Sequence, residues 1–199
     1  MLWEHRPSPN HSGPRAATLG VVIHSTRGGA SSQEREYEAT CNWFSRPASE
    51  VSAHRVIGFD GNGAICIEDD LVAWHATNHN FRWLGVELTQ PTINDAYSEA
   101  QYATLRALLK EWRNKYGFPL DRDHLVAHSE INSQKSDPGP LFDWEKVLED
   151  DMQSIVDSLN KAWSKLDEIQ AKVGPGVLVD LAEEVKQQIV EIKVAIGLQ

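Results

Sequence analysis

Two of the eight histidines in this 199-residue chain each close an apolar run, Val21-Val22-Ile23-His24 and Leu125-Val126-Ala127-His128. Short apolar runs bounded by turn residues read as buried strands. In helix-covered sheets, ligands and catalytic groups gather at the carboxyl ends of such strands. A third group, Asp137, follows His128 by nine residues in the Pro/Gly-stiffened loop Lys135-Ser136-Asp137-Pro138-Gly139-Pro140. Two imidazoles and one carboxylate with a fourth position open form the donor set of a catalytic zinc, whereas structural zinc sites are closed and cysteine-rich. A histidine at a strand end is otherwise a packed or surface residue, and residue types alone leave that alternative open. His5, His11, His79 and His124 read as surface or loop residues.

These groups are far apart in the chain and need a frame to bring them together. Leu19–Ser25 reads as a strand running into the loop Ser25-Thr26-Arg27-Gly28-Gly29, and residues 34–44 as a helix ending before Pro47. SAHRVIGFDGNGAICIED carries two strands around the turn Asp60-Gly61-Asn62-Gly63, a hairpin signal. Trp83–Gln90 is a further buried strand. AYSEAQYATLRALLKEWRNKYG is an amphipathic helix with Ser98 and Gln101 at capping-box spacing and Gly117 as its stop. His124–Glu130 adds one more short strand. Strands alternating with helices predict an α/β domain with a central sheet covered by helices. Trp43, Trp112 and Trp144 lie in amphipathic helical contexts and read as core.

Beyond residue 145 the texture changes. Leu148, Met152, Ile155, Leu159, Ala162, Leu166, Ile169 and Val173 alternate four and three apart, a heptad seam. Gly174-Pro175-Gly176 breaks it, and a second amphipathic stretch follows from Val177 to Ile196. The expectation is a helical hairpin that packs on itself, on the domain or on another copy. The 19 Lys and Arg against 29 Asp and Glu give a net charge of −10, which argues against a sequence-independent nucleic-acid binder. No run of 18 apolar residues is present, so no membrane span is expected. The segment MLWEHRPSPNHSGPR lacks an apolar core and a small-residue cleavage site, so synthesis in the cytoplasm without a signal peptide is expected. Cys41 and Cys66 read as two reduced, buried thiols, with one bridge between them as the alternative.

VVIHST, VSAHRVIGFDG, AWHA, LGVEL, SEAQYATLRALL, VAHSEI and KSDPGPLFDW occur in this order between residues 18 and 148. In these stretches the chain resembles the zinc-dependent N-acetylmuramoyl-L-alanine amidases, a family of phage endolysins, muropeptide-recycling amidases and peptidoglycan recognition proteins. The resemblance implies an α/β fold with a central mixed sheet flanked by helices, plus a C-terminal helical segment. It divides the chain into an N-terminal extension (1–17), a zinc amidase catalytic domain (18–148) and a helical tail (149–199). It places one Zn²⁺ on His24, His128 and Asp137, the catalytic glutamate on Glu87 of LGVEL and the catalytic lysine on Lys135. Trp74, His75 and His54 fall on family positions near the substrate, His75 and His54 with an outer-shell or core role as the alternative. Where one branch has a tyrosine before the VSAH histidine, this chain has Ala53, so no tyrosine role carries over.

The implied reaction is hydrolysis of the amide between N-acetylmuramic acid and the L-alanine of the stem peptide. A phage or prophage endolysin is the leading reading, with peptidoglycan as substrate, a holin for release and a tail that assembles homo-oligomers or binds wall. A cytosolic anhydro-muropeptide recycling amidase is the alternative, and a non-catalytic peptidoglycan-binding protein the second alternative. Arg55 and Phe81-Arg82 read as surface residues, with contact to the anionic stem peptide as the rival role. Net negative charge gives no attraction to an anionic wall, so binding must come from a local groove or from the tail. The tail, with five Lys against eight acidic residues from 151 to 199, lacks the basic face of a membrane-disrupting helix.

Overall fold

The computed structural model describes residues 3–148, 160–165, 168, 183, 185–188 and 190. The chain divides into two compact units, Met1–Val147 and Leu148–Gln199. In the first unit the elements are β1 (Trp3–His5), β2 (His11–Pro14), β3 (Gly20–Ser25), α1 (Gln33–Phe44), β4 (Arg55–Ile57), β5 (Gly63–Ile65) and β6 (Leu71–Ala73). Then follow β7 (Trp83–Leu88), α2 (Glu99–Tyr116), β8 (Leu125–Ala127) and the one-turn α3 (His128–Ile131). Six strands form one sheet in the order β1-β5-β4-β7-β3-β8. It is mixed: β4 and β5 form the antiparallel hairpin expected around Asp60–Gly63, and the other pairs are parallel.

The central strands are buried on both faces, which is why they read as unbroken apolar runs. Val21, Val22, Ile23, Leu84 and Val86 have no exposed surface. Helix α1 inserts Tyr37, Cys41 and Phe44 into a cluster with Ala53, Val56, Ala64 and Cys66. Cys41 and Cys66 are both free thiols in that cluster. Helix α2 opens on the Ser98–Gln101 capping box and buries Leu105, Leu108, Leu109 and Trp112. Val56 joins the α1 cluster while its neighbour Arg55 lies over the Trp112 ring. Consecutive strand residues face opposite sides, so the two helices cover opposite faces of the sheet.

Two expectations are corrected. The expected N-terminal extension is built into the fold from Trp3 to Pro14: β1 pairs in parallel with β5 as an edge strand, and β2 pairs with β6 in a second, two-stranded sheet. The buried Asn10 amide sits among the carbonyl oxygens of Phe44, Arg46 and Val51 and ties this segment down. Arg55 is not on the surface. Its guanidinium lies between the Trp3 and Trp112 rings and donates to Asp69 Oδ1 at 2.6 Å, and Lys115 Nζ reaches the other Asp69 oxygen at 3.1 Å.

In the second unit the described residues are helical, and the Lys186 ammonium lies 5.6 Å from the centre of the Trp163 ring. The break at Gly174-Pro175-Gly176 and every seam position except Leu148 and Ala162 lie outside the described residues. No helix among the described residues is long and apolar enough to cross a membrane.

Burial alone would raise the Asp69 carboxyl, but Arg55 and Lys115 outweigh it and hold it below the ordinary carboxylate range. Asp69→Asn leaves Arg55 buried without its counter-charge, a loss of about 3 kcal/mol by urea denaturation at neutral pH. A group with a depressed folded pKa contributes stability above its unfolded value, and that stability is lost as pH falls. The gap between wild type and variant therefore narrows below about pH 4.

Candidate metal centre

Strand register builds the floor of the site. Gly20–Ser25 pairs residue for residue with Trp83–Leu88, setting His24 beside Glu87. On the other side Ile23 pairs with Ala127, so the next residue, His128, emerges at the same level as His24. The expected strand ends at Ala127, and His128 is the first residue of α3. Asp137 comes from the loop after α3, which folds back so that Ser129 N–H donates to the Asp137 carbonyl at 3.1 Å.

The three donor atoms converge. His24 Nδ1 and His128 Nδ1 are 2.9 Å apart, and Asp137 Oδ2 lies 3.2 Å from the first and 3.1 Å from the second. Among the described residues these three form the one group able to hold a metal ion, and all are buried. Donors at tetrahedral Zn–N and Zn–O distances lie about 3.3 Å apart, close to the spacing seen here. Lone pairs aimed at one point at such distances repel unless positive charge lies among them. The donor set and its spacing fit a divalent cation.

The tautomers follow from the partners. With Nδ1 of His24 facing the centre, its Nε2–H points to His75 Nδ1 at 3.0 Å. His75 Nε2–H then points to the Trp83 carbonyl at 3.2 Å. This imidazole–imidazole–carbonyl chain fixes the ring orientation of His24, as outer-shell partners of metal ligands do. His75 fits against β7 only because residue 85 is glycine: a Cβ there would lie 2.6 Å from the imidazole.

Electrostatics single out Glu87. Its Oε2 is buried with no hydrogen-bond partner among the described residues. Burial, and then the negative charge of Asp137, push its carboxyl up to about 8, with Lys135 pulling the other way. Burial also opposes ionisation of Asp137, but the facing imidazoles of His128 and His24 outweigh it and hold that carboxylate far below its usual range. His24 is pushed down by burial, against the pull of the facing Asp137 carboxylate, and so keeps a neutral ring. A neutral imidazole beside an ionised carboxylate is the state in which both bind metal.

Comparison with known proteins gives the family. A family profile described as N-acetylmuramoyl-L-alanine amidase matches residues 14–140. N-acetylmuramoyl-L-alanine amidase A of Achromobacter lyticus is 32% identical over 166 residues, 72% of this chain and 88% of that protein. The chain belongs to the N-acetylmuramoyl-L-alanine amidase family. It is a zinc-dependent amide hydrolase that acts on peptidoglycan. The 1,6-anhydro-N-acetylmuramyl-L-alanine amidase AmpD of Salmonella typhimurium is 36% identical over 103 residues, 47% of this chain and 54% of that protein. Against that relative the match spans about half of its length. A solved AmpD derivative superposes with a TM-score of 0.58 at 26% identity, over 73% of this chain and 92% of that one. The endolysin amidase LysCS of Clostridium intestinale shares the fold, with a TM-score of 0.56 at 19% identity, over 75% and 94%.

Around the His24, His128 and Asp137 residues opens a groove of about 670 Å³. Its floor is His24, His75, Glu87, His128 and Asp137; one rim carries Arg27, Gln134, Lys135 and Ser136, the other Trp43, Val51 and Trp74. His54 is not in the groove. It is buried in the domain core, accepts from Gly85 N–H at Nδ1 and faces the Leu71 carbonyl with Nε2. Burial, then the Arg15 charge, push it down to about 3, so it stays neutral and out of reach of substrate. Trp43 is the groove residue that the sequence reading placed in the core. It is 49% exposed. The apolar buried stripe of α1 is Tyr37, Cys41 and Phe44, and Trp43 falls off it onto the face of the buried but polar Glu36, a helical-period signal that was available.

His75→Ala removes the acceptor for His24 Nε2–H, with an expected fall in zinc affinity of about 10- to 100-fold. Competition against a chromophoric chelator measures it. An unchanged affinity would mean that His75 does not orient the ligand.

Proposed function

We propose that this amidase hydrolyses the bond between the lactyl carbonyl of N-acetylmuramic acid and the L-alanine nitrogen in polymeric cell wall, in the role of a phage or prophage endolysin. The observation that carries the reaction is the unpartnered Glu87 Oε2 beside the His24–His128–Asp137 cluster at the floor of an open groove. Exposed residues on both rims, Trp43 and Lys135 among them, leave room for a stem peptide still attached to its glycan strand. The role implies release through a holin-made pore after synthesis in the host cytoplasm, with the helical unit as the oligomerising or wall-binding part.

The cation that His24, His128 and Asp137 would hold supplies Lewis acidity and lowers the pKa of nearby water. Glu87 takes the proton of the attacking water and passes it to the departing L-alanine nitrogen, as base and then acid. Lys135, on the rim three residues after the end of α3's Asn132 cap, sets a positive charge on the side where the carbonyl oxygen gains negative charge. Trp43 and Trp74 offer flat apolar faces to sugar or side chain.

The recycling reading draws on the 36% identity to AmpD. Mass spectrometry separates the two. Intact sacculi should release peptides with a free L-alanine amino terminus, and a chelator should abolish the release. Cleavage confined to soluble anhydro-muropeptides would establish the recycling role. Zinc binding without cleavage of either would establish a binding protein.

Glu87→Gln should keep zinc and lose about 10²- to 10⁴-fold in kcat, while Trp43→Ala should raise KM with kcat little changed. A protonated Glu87 cannot accept a proton, so activity falls as pH falls through its pKa. A divalent charge alongside lowers that pKa from the value of about 8 that burial and Asp137 give it. The acid limb of the wild-type kcat/KM profile should therefore lie below pH 8 and vanish in Glu87→Gln.

A further inference from the structure

Asp137 is the one ligand carried by a loop rather than by the end of a strand or the start of a helix, so something must hold that loop. Residues on both sides of it are bound from the exits of β3 and β7. Ser136, just before Asp137, accepts two bonds from one guanidinium: Arg27 Nη1 donates to its Oγ at 2.5 Å and Nη2 to its carbonyl at 3.0 Å. Pro138, just after it, accepts at its carbonyl from the Tyr97 hydroxyl at 2.8 Å, and that hydroxyl also lies 3.1 Å from Gln90 Oε1. Gln90 links the two sides, since its carbonyl accepts from Arg27 N–H at 2.8 Å.

Arg27 holds this position in an unusual backbone state. Its φ is 49°, the left-handed region that non-glycine residues rarely enter and that persists only when surrounding contacts enforce it. Gly139 flanks the other face of the clamp with φ 85°, a conformation that favours glycine, and a Cβ there would press on the end of the Arg27 side chain, 2.5 Å from Nη2. A planar, forked donor is the side chain that can hold two acceptors of one residue at once.

We infer that Arg27 is a positioning residue: by gripping Ser136 it holds Asp137 at the metal and Lys135 at the reacting carbonyl. It acts through the loop: both of these guanidinium bonds go to Ser136 rather than to a ligand atom of the metal site. The role of Lys135 in this inference rests on the proposed reaction; the hold on Asp137 does not.

The experiment compares Arg27→Ala, Arg27→Lys and Ser136→Ala in the full chain. Zinc release to excess chelator, kcat, KM and Tm are measured for each. Arg27→Ala should release zinc about tenfold faster or more and lose about 10²-fold in kcat, the penalty for a small misplacement of catalytic groups. KM should stay within about twofold, because a loop-positioning loss falls on chemistry rather than on binding. Arg27→Lys, a point charge without the fork, should recover part of the loss, and Ser136→Ala, which keeps the carbonyl acceptor, should show a smaller loss of the same kind. If Arg27→Ala fails to fold, the other two variants carry the same test. Raised KM with unchanged kcat and zinc release would make Arg27 a substrate contact and overturn the inference, as would zinc release unaltered in every variant. Zinc release needs no substrate, so it stands or falls separately from the endolysin reading.

Discussion

The site depends on one constraint, the parallel register that sets β8, β3 and β7 side by side. His24 is paired with Glu87, and His128 follows the residue paired with Ile23. Side chains alternate faces along a strand, so a slip of one residue would turn His24 away from both partners. Register is fixed where the strand residues are not interchangeable: a Cβ at Gly20 would lie 2.1 Å from the His124 carbonyl oxygen, and one at Gly85 2.6 Å from the His75 ring. The chemistry at the strand ends is therefore specified by residues with no chemistry of their own.

Around that register the centre is assembled against electrostatic cost. Two carboxylates, Glu87 and Asp137, share a buried site with three imidazoles, and each resolves the cost differently. Asp137 is ionised because His128 and His24 face it. Glu87 has no hydrogen-bond partner at Oε2 among the described residues and is pushed toward its neutral form. A divalent cation brings the two into one scheme: it takes Asp137 as ligand and lowers Glu87 into the range where a base can work at neutral pH. His75, held by burial well below its ordinary value, remains neutral and available as an acceptor for His24.

Much of this was legible in the sequence, because it rested on strong local patterns. The apolar runs ending in His24 and His128, the hairpin at Asp60–Gly63 and the Ser98–Gln101 cap each carry their own signal, and all appear in the fold. The N-terminal strands were not legible. They are three and four residues long, and their pairing is decided by the open edge of β5 and by β6 rather than by any pattern within them. Arg55 looked like a surface cation because its counter-ion, Asp69, which it shares with Lys115, lies outside its own strand. His54 and His75 looked alike as family positions, and only packing separates the core histidine from the one that reaches a ligand. The grip of Arg27 on Ser136 joins residues 109 apart, a contact no local pattern encodes.

The central claim, that His24, His128 and Asp137 hold a catalytic zinc, is tested most directly by zinc K-edge absorption spectroscopy with metal quantification on the purified full chain. The account predicts one zinc per chain, bound by two imidazole nitrogens with oxygen in the remaining positions and no sulfur, since Cys41 and Cys66 lie buried in the α1 cluster. A sulfur shell, a single imidazole or zinc well below one per chain would contradict it.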